Sequence, residues 1–295
     1  MPLRRFRHTQ RLAALNPRED YADILRELAR HEFPLDMLVA GELAQLKTFA
    51  IPRMSALLHR TGQYEQHSVK RLDDTRAILS EILNDGVDGP HGAQMVEHLN
   101  HIHGHYAIAN EDYLYTLSLF IYEPIHWLRR YGWRRLTVAE EQGLFAAFRA
   151  LGEAMHLQDI PADIDAFEQW REAYRARMEG FAPSNQQVAE GAIRGLGQLL
   201  PWPLRPLTRA LVKVLLHDPA LLAALGLGRP SRALAMLVTL VLRGRALWLR
   251  RFNPWEQRSF HESRLALHFA SYPQGYQPFR LGPEKIINLL DRRTA

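Results

Sequence analysis

No cysteine occurs anywhere in the 295 residues. Disulfides, thiolate nucleophiles, iron–sulfur clusters and cysteine-held haem or zinc are therefore excluded, and any metal must be held through nitrogen or oxygen. Lysine is scarce as well: Lys47, Lys70, Lys213 and Lys285 stand against 33 arginines. The arginines are scattered and no nucleic-acid motif accompanies them, so the formal charge of +5 does not mark a nucleic-acid binder. Long apolar runs are missing. The longest, Ala233 to Leu242, is interrupted by Thr239 and falls well short of the roughly 20 residues that span a bilayer. The amino-terminal stretch MPLRRFRHTQRLAALNP has paired arginines but no apolar h-region, and a cytoplasmic chain is expected. A peripheral membrane contact is the one lipid interaction the pattern offers. Arg243, Arg245, Arg250 and Arg251 surround Leu247, Trp248 and Leu249.

What is present suits a folded protein with room for a ligand: 47% hydrophobic and 23% charged residues are ordinary globular values. Helical periodicity dominates and strand-like alternation is rare, which predicts an all-α chain. Helices are expected over 19–32, 34–47, 52–61, 67–84, 91–108, 111–130, 137–155, 162–180, 184–199, 203–216, 218–225, 231–250 and 254–269. Thr137-Val-Ala-Glu140 has capping-box spacing, and Asn84-Asp-Gly-Val-Asp-Gly-Pro90 forms a turn cluster. No repeat or flexible linker divides the chain, so residues 1–295 read as a single multi-helix domain with peripheral tails at 1–18 and 284–295. The proline- and glycine-bearing stretch from Ser271 onward is expected to be irregular and laid over the body. No pattern fixes an oligomeric state.

Four of the 14 histidines fall within His98-Leu-Asn-His-Ile-His-Gly-His-Tyr106. On a helix, His98, His101 and His105 share a face about 60° wide. They span about two turns, roughly 10 Å, too far for three nitrogens to reach one ion at about 2.0–2.1 Å. Those three form a polar face. His103 points elsewhere, towards Val96, Leu99 and Tyr106, and is either a satisfied core histidine or a ligand in an apolar pocket. Gly104, inside the expected helix, would mark close approach of another backbone or of a flat ligand. One helix earlier, Arg71 and Thr75 stand at i, i+4 on one face, where a guanidinium and a hydroxyl suit an anion, a propionate or an oxygen ligand on a metal.

An ordered set of strings carries a resemblance. Phe49-Ala-Ile-Pro52, Thr61-Gly-Gln63, Lys70-Arg-x-x-Asp-Thr75, Asn100-x-Ile-His-Gly-x-Tyr106 and Asn110-Glu-Asp-Tyr-Leu-Tyr-Thr116 come first. Glu123-Pro124, Tyr131-Gly-Trp-Arg134, Asp159-Ile-Pro161 and Tyr272-Pro-x-Gly-Tyr276 follow in order, so the set spans about 48–283. It resembles the MpaB-like and rubber-oxygenase catalytic-domain family, most of all its MpaB branch. The resemblance implies an all-helical fold with a globin-like core around haem b. It also implies a dioxygen-dependent cleavage of an apolar, isoprenoid C=C bond. His103 would then be the proximal iron ligand, and Arg71 and Thr75 the catalytic residues of the distal pocket, with Arg71 also touching the cofactor. Asp74 stands where rubber oxygenases carry a lysine, and the only candidate for their upstream pocket carboxylate is Glu65, so rubber itself is not the implied substrate. Two other readings stay open: a helical haem or lipid carrier without turnover, and a histidine-ligated non-haem metalloenzyme.

Overall fold

The computed structural model describes residues 7–252 and 269–294. Among them every regular element is helical and no strand occurs, as the periodicity predicts. In chain order the elements are α1 (Arg7–Ala13), α2 (Tyr21–Glu27) continuing into a π-helical turn (Leu28–Glu32), α3 (Pro34–Thr48), α4 (Pro52–Thr61), α5 (Gln63–Gln66) and α6 (Ser68–Asp85). Then come α7 (Pro90–His103), α8 (Asn110–Tyr131), α9 (Val138–Ala154), α10 (Ile164–Met178) and α11 (Pro183–Gly197). A 3₁₀ turn (Trp202–Leu207) leads to α12 (Thr208–Leu216), α13 (Pro219–Ala224) and α14 (Arg232–Arg251), and a second (Pro278–Arg280) precedes α15 (Glu284–Thr294). The helix expected over 254–269 lies almost wholly outside the described residues.

Local chemistry sets several of these boundaries. Proline opens α3, α4, α7, α11 and α13, where its missing N–H costs nothing. The capping box at the start of α9 forms as the spacing predicts. The Glu140 amide donates to Thr137 Oγ1 (3.2 Å) and the Thr137 amide to Glu140 Oε2 (2.8 Å).

The long helix α8 is buried along most of its length, with α3 packed along one side and α9 and α10 against others. Buried Asp36 ties three elements together. It accepts from the Trp127 indole of α8 (2.8 Å) and from both Nη atoms of Arg245 of α14 (2.9 and 3.0 Å). The helices α6 and α7 pair closely, and α11 lies across α4, α5 and α6. That last crossing needs Gly191: a Cβ there would sit 2.3 Å from the Tyr64 carbonyl oxygen, so α5 approaches α11 backbone to backbone.

Two segments differ from the sequence reading. The helix expected over 91–108 ends at His103, and Gly104 is its C-cap rather than an interior residue. A Cβ on Gly104 would meet only the carbonyls of Asn100 and His101, from its own preceding turn. Its presence thus reflects helix termination, and the expectation of a second backbone beside it is corrected for the described residues. The tail is only partly irregular. Residues 269–283 are laid over α6 and α7 as expected, but α15 then forms a helix with Ile286 and Ile287 buried. At the other end α1 buries Leu12, and its Thr9 hydroxyl donates to Glu32.

Candidate functional site

A cavity of about 400 Å³ lies among α3, α4, α6, α7, α8 and α9, within the size range of small-molecule and cofactor pockets. Its walls are chiefly apolar, with Leu79, Leu99, Ile102, Phe120, Phe148 and Leu151 among them. His103, Arg71 and Thr75 all line it, so the three residues singled out by sequence are brought to one space.

His103 closes α7. Its Nδ1 is inaccessible to solvent and has no hydrogen-bond partner, while its ring lies 5.4 Å, centroid to centroid, from that of Tyr113 on α8. The residue as a whole is half-buried and lines the cavity. Burial, reinforced by the Arg71 charge, lowers its pKa to about 4. The imidazole is therefore neutral near pH 7 and keeps a lone pair.

Arg71 reaches the cavity from α6. Its guanidinium donates to the Thr75 hydroxyl and lies 5.2 Å from the Tyr64 ring centre. Among the described residues no carboxylate pairs with it. An arginine in an apolar cavity without a counter-ion is a site prepared for an anion or a strong hydrogen-bond acceptor. Thr75 Oγ1 also donates to the Arg71 carbonyl (3.1 Å), which fixes the pair as a unit.

The other histidines of the string go elsewhere. His98 is buried and pairs with the Leu281 carbonyl (2.8 Å), against the edge of Phe279. The rings of His101 and His105 meet at 4.8 Å, and His105 Nδ1 bonds the His101 carbonyl (2.9 Å). None of the three lines the cavity. Among the described residues the one trio with ligand atoms close enough for a metal is His8, Glu27 and His31, far from this string in sequence. There the His8 and His31 rings stack nearly parallel at 4.1 Å. Stacked imidazoles direct their in-plane lone pairs side by side, so an ion could join both only after a ring turned.

Sequence reasoning missed several cavity residues. Asp112 looks like a helix-start residue, but it is buried and lines the cavity, held by Arg53 Nε (2.9 Å) and Nη2 (2.8 Å) and by the Tyr174 hydroxyl. Tyr64, Gln45 and Arg60 were missed as well; none carries a signal at the level of spacing. Glu65 is not among the lining residues; it pairs with His59 at 2.7 Å on the outer side.

The departure at position 74 has a structural role. Asp74 receives Lys70 Nζ (2.8 Å) and the Tyr272 hydroxyl, and Lys70 also donates to the Gly282 carbonyl (2.8 Å). The carboxylate and lysine thus fasten residues 269–283 along the cavity, which Gly282 and Pro283 line. Gly282 has φ +122°, and a Cβ would lie 2.8 Å from Ile102, so no other residue fits there without strain.

Haem b is the cofactor that the sequence resemblance implies for this cavity. A neutral imidazole with a buried, unpartnered nitrogen and an apolar surround are what a histidine-held macrocycle requires, and the unpaired guanidinium offers a partner to negative charge in the same space. The residues present fit it.

Comparison with known proteins agrees with the family resemblance. The family described as ER-bound oxygenase mpaB/B′/rubber oxygenase, catalytic domain, matches residues 29–251. ER-bound oxygenase mpaB′ of Penicillium brevicompactum is 27% identical over 261 residues, covering 82% of this chain and 62% of the relative. The ER-bound oxygenase mpaB of the same fungus is 28% identical over 187 residues, 57% of this chain and 48% of the relative. That of Penicillium roqueforti (strain FM164) is 26% identical over 218 residues, 68% and 73% respectively. The match thus spans less than two thirds of the first two relatives.

Proposed function

We propose, from the premise that the chain belongs to the mpaB/B′ and rubber oxygenase catalytic-domain family, that it is an oxygenase in which the cavity holds haem b and an apolar, isoprenoid-type alkene. The relatives are oxygenases, so oxidoreductase chemistry is what the family brings. The observation that carries the reading is the neutral His103, with its unpartnered nitrogen, beside the unpaired Arg71 in one apolar cavity. His103 would hold the iron. Bound there, haem b would supply the dioxygen chemistry for cleaving a C=C bond; the thiolate route of cytochrome P450 is closed to a chain without cysteine.

The chain's own residues have separable tasks. Arg71 presents its remaining N–H groups to negative charge that develops on oxygen, and Thr75, whose O–H is donated to the Arg71 carbonyl, holds the guanidinium in place; such donors act most strongly where water is excluded. Leu79, Leu99, Phe120 and Phe148 accept the hydrocarbon and keep water out. The carboxylates at the cavity are already committed, Asp112 to Arg53 and Tyr174, Asp74 to Lys70 and Tyr272. Neither is free to act as a base.

Oxygen uptake by haem-loaded protein with an unsaturated terpenoid tests this directly. Wild-type protein should consume oxygen, and Arg71→Ala should retain haem while losing about 100-fold or more in turnover, the usual effect of removing a donor to developing charge. A haem protein with no uptake on any unsaturated terpenoid would be a carrier, and full activity in Arg71→Ala would remove its distal role.

A further inference from the structure

Charge and exposed apolar surface coincide in one region that the cavity does not use. Residues 191–252 contain ten arginines and lysines and a single acidic residue, Asp218. Two of the ten have carboxylate partners among the described residues, Arg209 with Glu190 (2.8 Å) and Arg245 with Asp36. Arg232, Arg243, Arg250 and Arg251 of α14 have none there.

The same helix is apolar on its outer side. Of its 20 residues only Leu249 is buried. Met236, Leu237, Leu240, Val241, Leu247 and Trp248 are exposed, Leu240 and Leu247 to about 70%. At 3.6 residues per turn, 236, 240, 243 and 247 follow one line along the helix, and 237, 241, 244 and 248 follow the next. Arg243 lies within this stripe, and Arg250 and Arg251 close its end. A second exposed patch lies on the turn before α12: Trp202 is 80% exposed, with Leu204 and Leu207 in the same 3₁₀ turn, which packs on α12, the helix α14 also packs against. An exposed apolar stripe of this kind on one helix marks an interaction surface.

We infer that the outer face of α14, together with the Trp202 turn, docks flat on an anionic lipid surface. No described helix is long and apolar enough to cross a membrane, so the contact lies in the interfacial plane. In that plane Leu240, Leu247 and Met236 enter the acyl boundary. Trp202 and Trp248 sit at headgroup level, and the unpaired arginines meet lipid phosphates. The chemistry selects this occupant over two others. Nucleic acid would satisfy the arginines but offers nothing to the leucines. A second copy of the same face would cover the leucines but set Arg243, Arg250 and Arg251 against their own counterparts, with no acidic residue on α14 to offset them. The inference stands independently of what the cavity binds.

Flotation of the full chain with vesicles of phosphatidylcholine alone, or with added phosphatidylserine, tests it. Wild-type protein should float with the phosphatidylserine vesicles, at least about ten-fold more strongly than with phosphatidylcholine alone, and high salt should weaken the binding. Leu240→Glu/Leu247→Glu and Arg243→Gln/Arg250→Gln/Arg251→Gln change only exposed side chains. Each should lower binding about ten-fold or more while helical content and melting temperature stay at wild-type values. No binding to phosphatidylserine vesicles, or equal binding by the two variants and the wild type, overturns the inference. So does a dimer seen by sedimentation that Leu240→Glu/Leu247→Glu dissolves, since the face would then belong to a second copy.

Discussion

At the scale of single residues, His103 and Glu42 show how burial decides protonation. Sequence pattern separates His103 from its three neighbours because period 3.6 sends it to a different side, and the structure places it alone in the cavity. Its neutrality comes from packing and from Arg71, neither of which can be read from the string Ile-His-Gly. Glu42 on α3 escaped sequence reading altogether. Burial, opposed by Arg76 at 3.3 Å and assisted by Asp73, raises its pKa from 4.5 to about 7, and both of its oxygens lack a hydrogen-bond partner. Between those two values the folded protein keeps a proton that the unfolded chain releases. Stability from this group is therefore full below about pH 4.5 and is lost as pH rises through about 7. Urea midpoints at about pH 5 and about pH 8 should show wild-type protein losing on the order of 2 kcal/mol more than Glu42→Gln. Equal losses would refute the assignment.

At the scale of elements, periodicity located the helices well, and punctuation was the weaker guide. The capping box of α9 was readable because Thr137 and Glu140 satisfy each other locally. The end of α7 was not, because Gly104 reads equally well as an interior or a terminal glycine until the backbone is seen. Close approach was real at another glycine. Gly191 admits the Tyr64 carbonyl of α5 and so places the Tyr64 ring beside Arg71 at the cavity wall. Gly191→Ala must push α5 off α11, since backbone atoms cannot rotate away, and should cost about 1–3 kcal/mol by overpacking. Urea denaturation measures the loss, and an undiminished midpoint would show that the two helices are not held at this separation.

At the scale of the molecule, the all-helical architecture and the meeting of Arg71, Thr75 and His103 were legible from ordered motifs. The cavity and its neighbours were not, because they are assembled from residues far apart in sequence. Lys70 and Asp74 reach Gly282 and Tyr272, about 200 positions away, and Arg53 reaches Asp112 and, through it, Tyr174. Such pairings follow from topology rather than spacing. Together these residues are proposed to form a histidine-held haem site. Its most direct test is a titration of purified protein with haem, followed by visible absorption, for wild type and His103→Ala. Wild-type protein should take up haem stoichiometrically with a sharp Soret band, and His103→Ala should lose that band while the melting temperature of the haem-free protein is unchanged. Absence of uptake by the wild type, or an identical band in the variant, would contradict the haem assignment.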